Sequence, residues 1–198
     1  MESAIKIIVS GLDFAGKTSI LTALDKKYDF QKEILELKPT IKVEYHQMTF
    51  LGNLCYFWDM GGQKVYRELY KEKQDIYFAG TDLLVYVIDI QDEGRLKESL
   101  DYLSVILNYF KKNNMQVPII VSFHKYDPDI RGNNDYVNRI SKLREKILKN
   151  HSSFKILFQQ TSIYDIISIV QLISYGLSVF DSAFFELSTL MEEYLNIF

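Results

Sequence analysis

Gly11-Leu12-Asp13-Phe14-Ala15-Gly16-Lys17-Thr18 decides how this chain folds. The stretch matches G-x-x-x-x-G-K-[ST], a loop between a strand and a helix whose backbone N–H groups cradle phosphate oxygens. Its flanks fit. Residues 5–9 are a short apolar run that reads as a strand, and a helical pattern follows from about Lys17 to Lys27. In that setting the backbone from Asp13 through Phe14, Ala15 and Gly16 to Thr18, with Ser19 next in the first helical turn, can aim its N–H groups at a β-phosphate. The helix N-terminus adds its positive dipole end. Lys17 reaches β- and γ-oxygens, and the Thr18 hydroxyl can ligate Mg²⁺.

Working outward, strands and helices alternate. Residues 28–41 are polar and irregular. Residues 43–50 and 54–58 read as two strands, and Gly52-Asn53 between them signals a hairpin turn. Residues 83–88 and 117–123 are continuous apolar runs, expected of strands buried on both faces. Leu96, Leu100, Leu103, Leu107 and Phe110 form one helical stripe, and Tyr136, Ile140, Leu143 and Ile147 another. Residues 154–158 supply a sixth strand, and Asp165 can cap a helix running to Phe180. The expected class is α/β, with a mainly parallel six-stranded sheet, one antiparallel hairpin strand and helices on both faces. Ligands in such sheets bind at the carboxyl ends of the strands.

The remaining motifs fall where that rule needs them. Asp59-Met60-Gly61-Gly62-Gln63 follows the strand ending in Trp58. The Asp59 carboxylate can hold an Mg²⁺-bound water, the Gly62 N–H can sense a γ-phosphate, and Gln63 can orient an attacking water. His124-Lys125-Tyr126-Asp127 follows the strand ending at Phe123. Asp127 there would accept from N1–H and the N2 amine of guanine, whereas adenine offers neither donor. Lys125 would pack its stem over the base, and a nitrogen of His124 can donate toward N7. In Thr161-Ser162-Ile163, backbone N–H groups of Ser162 and Ile163 could reach guanine O6. Thr40, between the phosphate loop and Asp59, would give Mg²⁺ a second hydroxyl.

Composition narrows the rest. With 198 residues, 47% hydrophobic and 14% aromatic, the chain can fill one core, so disorder is excluded. A net charge of −3 offers no basic stripe for nucleic acid. Cys55 is the single cysteine, expected to be a buried thiol, and the absence of a disulfide framework points to a cytoplasmic chain. Met1-Glu2-Ser3 lacks a myristoylation glycine and Leu195-Asn196-Ile197-Phe198 is no prenylation box, so no direct lipid anchor is expected and any membrane recruitment would run through a partner.

Residues 11–18, Thr40, 59–63, 124–127 and 161–163, in that order, resemble the five nucleotide motifs of Ras-superfamily GTPases. The loop at 11–18, Trp58-Asp59 with Gly61-Gly62-Gln63, and Arg67 resemble the Arf family. Phe50-Leu51-Gly52-Asn53-Leu54, His124 and Thr161-Ser162-Ile163-x-Asp165 resemble the Rag/Gtr family. The chain is similar to a Rag/Gtr protein with an Arf-like phosphate loop, over about residues 5–180. The resemblance implies one G domain at 1–180 that binds GTP or GDP with Mg²⁺ and switches between them. It also implies a GTPase activator, an exchange factor and effectors as partners. Slow turnover is expected, because no arginine lies between Lys26 and Thr40 and because Asp13 and Phe14 enlarge the loop. A nucleotide-binding scaffold with negligible hydrolysis is the alternative. Arf proteins have a lipidated helix ahead of the first strand and a glycine where Lys42 stands. Rag proteins continue into a roadblock-type domain, which is not expected within these 198 residues.

Residues 181–198 read as an amphipathic helix rather than a separate domain. Phe184, Leu187, Met191, Tyr194, Leu195 and Phe198 share one helical face. That face would fold back on the domain, or meet a second copy of the chain or a roadblock-type partner.

Overall fold

The computed structural model describes residues 4–25, 40, 42–50 and 52–178. In chain order the elements are β1 (Ile5–Gly11), α1 (Lys17–Asp25), β2 (Val43–Phe50), β3 (Asn53–Met60), α2 (Lys64–Glu72), α3 (Gln74–Phe78), β4 (Leu83–Asp89), α4 (Leu96–Lys112), β5 (Ile119–His124), α5 (Asn134–Asn150), β6 (Ile156–Thr161) and α6 (Ile166–Ser178). Short 3₁₀ turns occupy Glu93–Arg95 and Pro128–Ile130. The six strands form one sheet in the order β2-β3-β1-β4-β5-β6. Only β2–β3 is antiparallel, with Phe50 opposite Asn53 and Gly52 turning at φ +80°.

Strand alternation sorts the core into two halves. Ile5, Ile7 and Val9 of β1 and Leu83, Val85 and Val87 of β4 face α1 and α6, where they meet Ile20, Leu21, Ile169, Leu172 and Ile173. Ile8, Leu84, Tyr86 and Ile88 face the opposite way and pack with Tyr70, Phe78, Leu103, Leu107, Leu143 and Ile147 of α2 to α5. Helices therefore cover both faces, as the continuous apolar strands require. Cys55 is fully buried and free. Asp165 Oδ1 accepts from the Ser168 N–H at 3.4 Å, so it caps α6.

Two helices, α2 and α3, were absent from the sequence reading. Lys64, Arg67, Glu68, Lys71 and Glu72 dominate α2, and its buried face consists of Arg67 and Tyr70 rather than an aliphatic stripe. The 28–41 segment, Thr40 apart, and the tail at 181–198 lie outside the described residues, as do residues 179–180 at the end of the helix expected to run to Phe180. Among the described residues no helix is long and apolar enough to cross a membrane.

Register explains why the motifs meet. Val9 is level with Asp59 across β1–β3, Asp89 with His124 across β4–β5, and His124 with Thr161 across β5–β6. Five parallel strands thus end along one edge, and the loops that leave them share one rim.

Candidate functional site

That rim surrounds a cavity of about 380 Å³. Asp13, Phe14, Gly16, Lys17, Thr18 and Ser19 line it from the phosphate loop, and Thr40 and Gly62 line its γ-phosphate end as the sequence reading places it. His124, Lys125, Asp127, Ile163 and Tyr164 line the other end. Ala15 is 2% exposed and sits beneath the loop, its N–H on the Leu12 carbonyl at 3.4 Å, rather than in the lining. Gln63 also lies outside the lining; it starts α2, and its carbonyl accepts from the Tyr66 and Arg67 N–H groups at 3.0 Å each.

The loop is a strained cradle. Phe14 takes φ +61°, a region that favours glycine, and its ring is 69% exposed. Gly16 is at φ +95°, and a Cβ there would fall 2.6 Å from His124 Nε2. Glycine at 16 thus lets the imidazole touch the phosphate loop. Lys17 is buried, with Nζ donating to the Leu12 carbonyl at 2.7 Å. Burial lowers its pKa to about 8, against the opposing pull of Asp59 and Asp13, so the amine remains a cation at neutral pH.

The three groups assigned to metal converge. Thr18 Oγ1 donates to Asp59 Oδ2 at 2.5 Å and lies 2.9 Å from Thr40 Oγ1, which is 3.3 Å from the same carboxylate oxygen. Asp59 is fully buried, and its Oδ1 has no hydrogen-bond partner among the described residues. Burial pushes this carboxyl above its ordinary range, and Lys17 acts against that. Two hydroxyls and a desolvated carboxylate around one point are a hard-oxygen set suited to Mg²⁺.

At the far end, Asp127 is held from both sides. Its Oδ1 accepts from Ser162 Oγ at 2.6 Å and its Oδ2 from Gln91 Nε2 at 3.0 Å. Lys125, at φ +60°, pairs its ammonium with Asp89 at 2.6 Å. Ser162 lies outside the lining; its N–H is donated to Ser168 Oγ at 3.1 Å, and its hydroxyl is donated to Asp127. Gln91, Asp89 and Tyr164 were missed from sequence. The first two leave the end of a recognised buried strand, which is the signal that could have found them.

His124 is 2% exposed and bonds Thr161 Oγ1 through Nδ1 at 2.8 Å, while Thr161 Oγ1 lies 2.6 Å from Ser122 Oγ. Burial, and then the neighbouring Lys125, lowers its pKa from 6.5 to about 3. Between those values the unfolded chain binds a proton that the folded chain refuses, so stability falls as pH drops through this window. A His124→Asn variant is expected to lose about 2 kcal/mol less than wild type between pH 7 and pH 5. Denaturant midpoints at the two pH values check this; parallel losses would mean that His124 does not titrate as its burial dictates.

A phosphate loop, a paired-threonine and aspartate cluster and a base-end Asp127, on the carboxyl rim of a sheet with one antiparallel edge, define a small-GTPase-type G domain. The chain belongs to the ADP-ribosylation factor family, whose family model matches residues 1–172. It is 37% identical over 126 residues to ADP-ribosylation factor-like protein 3 of Chlamydomonas reinhardtii, covering 64% of this chain and 65% of that one. It is 31% identical over 147 residues to Ras-related GTP-binding protein A of Dictyostelium discoideum, covering 72% and 48%. The chain thus spans less than two thirds of the length of these curated relatives. The solved structure of the Arl6 BBS3 small GTPase from Trypanosoma brucei with bound GppNp superposes with a TM-score of 0.65 at 18% identity, over 89% of this chain and 97% of that one, and the likeness supports the fold.

Proposed function

We propose that this protein is a guanine-nucleotide switch that binds GTP or GDP with Mg²⁺ and hydrolyses GTP slowly. The observation that carries the reading is the Thr18–Thr40–Asp59 cluster at 2.5–3.3 Å beside a buried lysine, at one end of a cavity whose other end presents Asp127. Mg²⁺, when bound, neutralises charge on the β- and γ-phosphates. Thr18 and Thr40 offer it hydroxyls, and Asp59 holds its water. Lys17 and the loop amides bind the phosphates, Asp127 reads the guanine edge, and Gln63 orients water. Thr40 and Gly62 are the groups whose γ-phosphate contacts would differ between nucleotide states.

The second reading, a nucleotide-binding scaffold with negligible hydrolysis, draws on Gln63 lying outside the cavity lining. Gln63→Leu separates the two. The variant is expected to slow single-turnover GTP hydrolysis at least tenfold while changing GTP affinity by less than about twofold, because the glutamine acts on the water and not on the ground-state nucleotide. Equal rates in variant and wild type would favour the scaffold. Activator, exchange-factor and effector proteins are the proposed partners, with cytoplasmic residence and recruitment to membranes through one of them. His124 and the similarity to Ras-related GTP-binding protein A support a Rag-like role, and the family match supports an Arf-like one. A second copy or a roadblock-type protein is the proposed partner for the tail.

A further inference from the structure

Asp13 is the one carboxylate in the phosphate loop, and it lines the cavity where polyphosphate would lie. An acid there opposes an anionic ligand unless it is compensated. The compensation comes from Arg95, 82 positions along the chain, in the 3₁₀ turn after β4. Its Nη2 pairs with Asp13 Oδ1, and its Nη1 reaches the Asp13 carbonyl at 3.3 Å. The chain of charges goes on. Arg95 Nε lies 3.6 Å from Glu98 Oε2, and Glu98 Oε1 pairs with the buried Arg67. Arg67 Nε donates to the Gly62 carbonyl at 2.8 Å. Gly62 in turn lies directly on the loop: a Cβ on it would fall 2.1 Å from the Asp13 nitrogen. Alternating charges therefore run from Asp13 to the peptide at the γ-phosphate end and return to Asp13 through backbone packing.

We propose that Arg95 is a positioning residue that neutralises Asp13 and thereby sets the preference of the site between nucleoside triphosphate and diphosphate. The proposal rests on the reading of the cavity as a guanine-nucleotide site. A triphosphate carries more negative charge than a diphosphate, so an uncompensated Asp13 penalises it more. Coulomb's law puts the difference at about tenfold in relative affinity, and added salt shrinks it.

The test is titration of wild type, Arg95→Ala, Arg95→Lys, and Arg95→Ala combined with Asp13→Asn with fluorescent GDP and a fluorescent non-hydrolysable GTP analogue, with thermal melting to confirm folding. Arg95→Ala is expected to weaken the analogue about tenfold more than GDP, most strongly at low salt. The double variant is expected to return the ratio to within about twofold of wild type, because removing the acid removes the need for the base. Arg95→Lys, which keeps the charge, is expected to stay closer to wild type than Arg95→Ala. Equal weakening of both nucleotides by Arg95→Ala, or no recovery in the double variant, overturns the proposal while leaving the guanine-nucleotide reading intact. A folded wild type that binds neither nucleotide overturns both.

Discussion

Lys17→Ala is expected to lower affinity for GTP and GDP by about a thousandfold. The magnitude follows from what removing a buried, paired charge does, about 3–5 kcal/mol, at 1.36 kcal/mol per decade. Lys17 is 5% exposed and its amine already rests on the Leu12 carbonyl, so it reaches phosphate with little reorganisation. Its surroundings supply two carboxylates, Asp59 and Asp13, that a bound polyphosphate would face unshielded once the ammonium is gone. Titration of fluorescent nucleotide into wild type and variant measures the loss. A change below tenfold would mean that the cavity does not hold phosphate at Lys17.

Asp127→Asn is expected to weaken guanine nucleotide by about a thousandfold and to make xanthosine diphosphate the better ligand. The carboxylate is fixed by Ser162 on one oxygen and Gln91 on the other, so it cannot turn away to accommodate a mismatch. An amide in its place presents an N–H₂ to the N1–H and amine of guanine, donor against donor, and a buried unpaired donor is costly. Xanthine carries a carbonyl where guanine carries the amine, and that carbonyl accepts from the new amide. Competition against labelled GDP reads both effects. ATP should fail to displace GDP from the wild type; displacement as effective as that by GTP would show that Asp127 does not read the base.

Much of the site could be read from sequence because each motif directly follows a strand, and a parallel sheet brings strand ends together whatever lies between them. Residues 11–18, Asp59, Gly62, His124, Lys125 and Asp127 are of this kind. The hairpin was legible for a local reason: Gly52 adopts a positive φ between two strands of matching length. Helix α2 was not legible, because its inward face is a buried arginine and a tyrosine whose hydroxyl donates to the Lys42 carbonyl at 2.5 Å. Neither side chain announces burial, and each is buried only because a distant acceptor receives it.

The sequence alone determined the fold class, the phosphate loop and the place of Asp127 at the end of a buried strand, since strand periodicity and loop chemistry are properties of neighbouring residues. Tertiary structure alone decided which partners those groups would have. Arg95 on Asp13, Gln91 on Asp127, Ser168 on the Ser162 N–H and His124 against Gly16 join loops that leave different strands or approach from different elements. Such pairings depend on side-chain reach and on register across the sheet. These are fixed only when the two halves of the core have packed, so no local pattern in the chain encodes them.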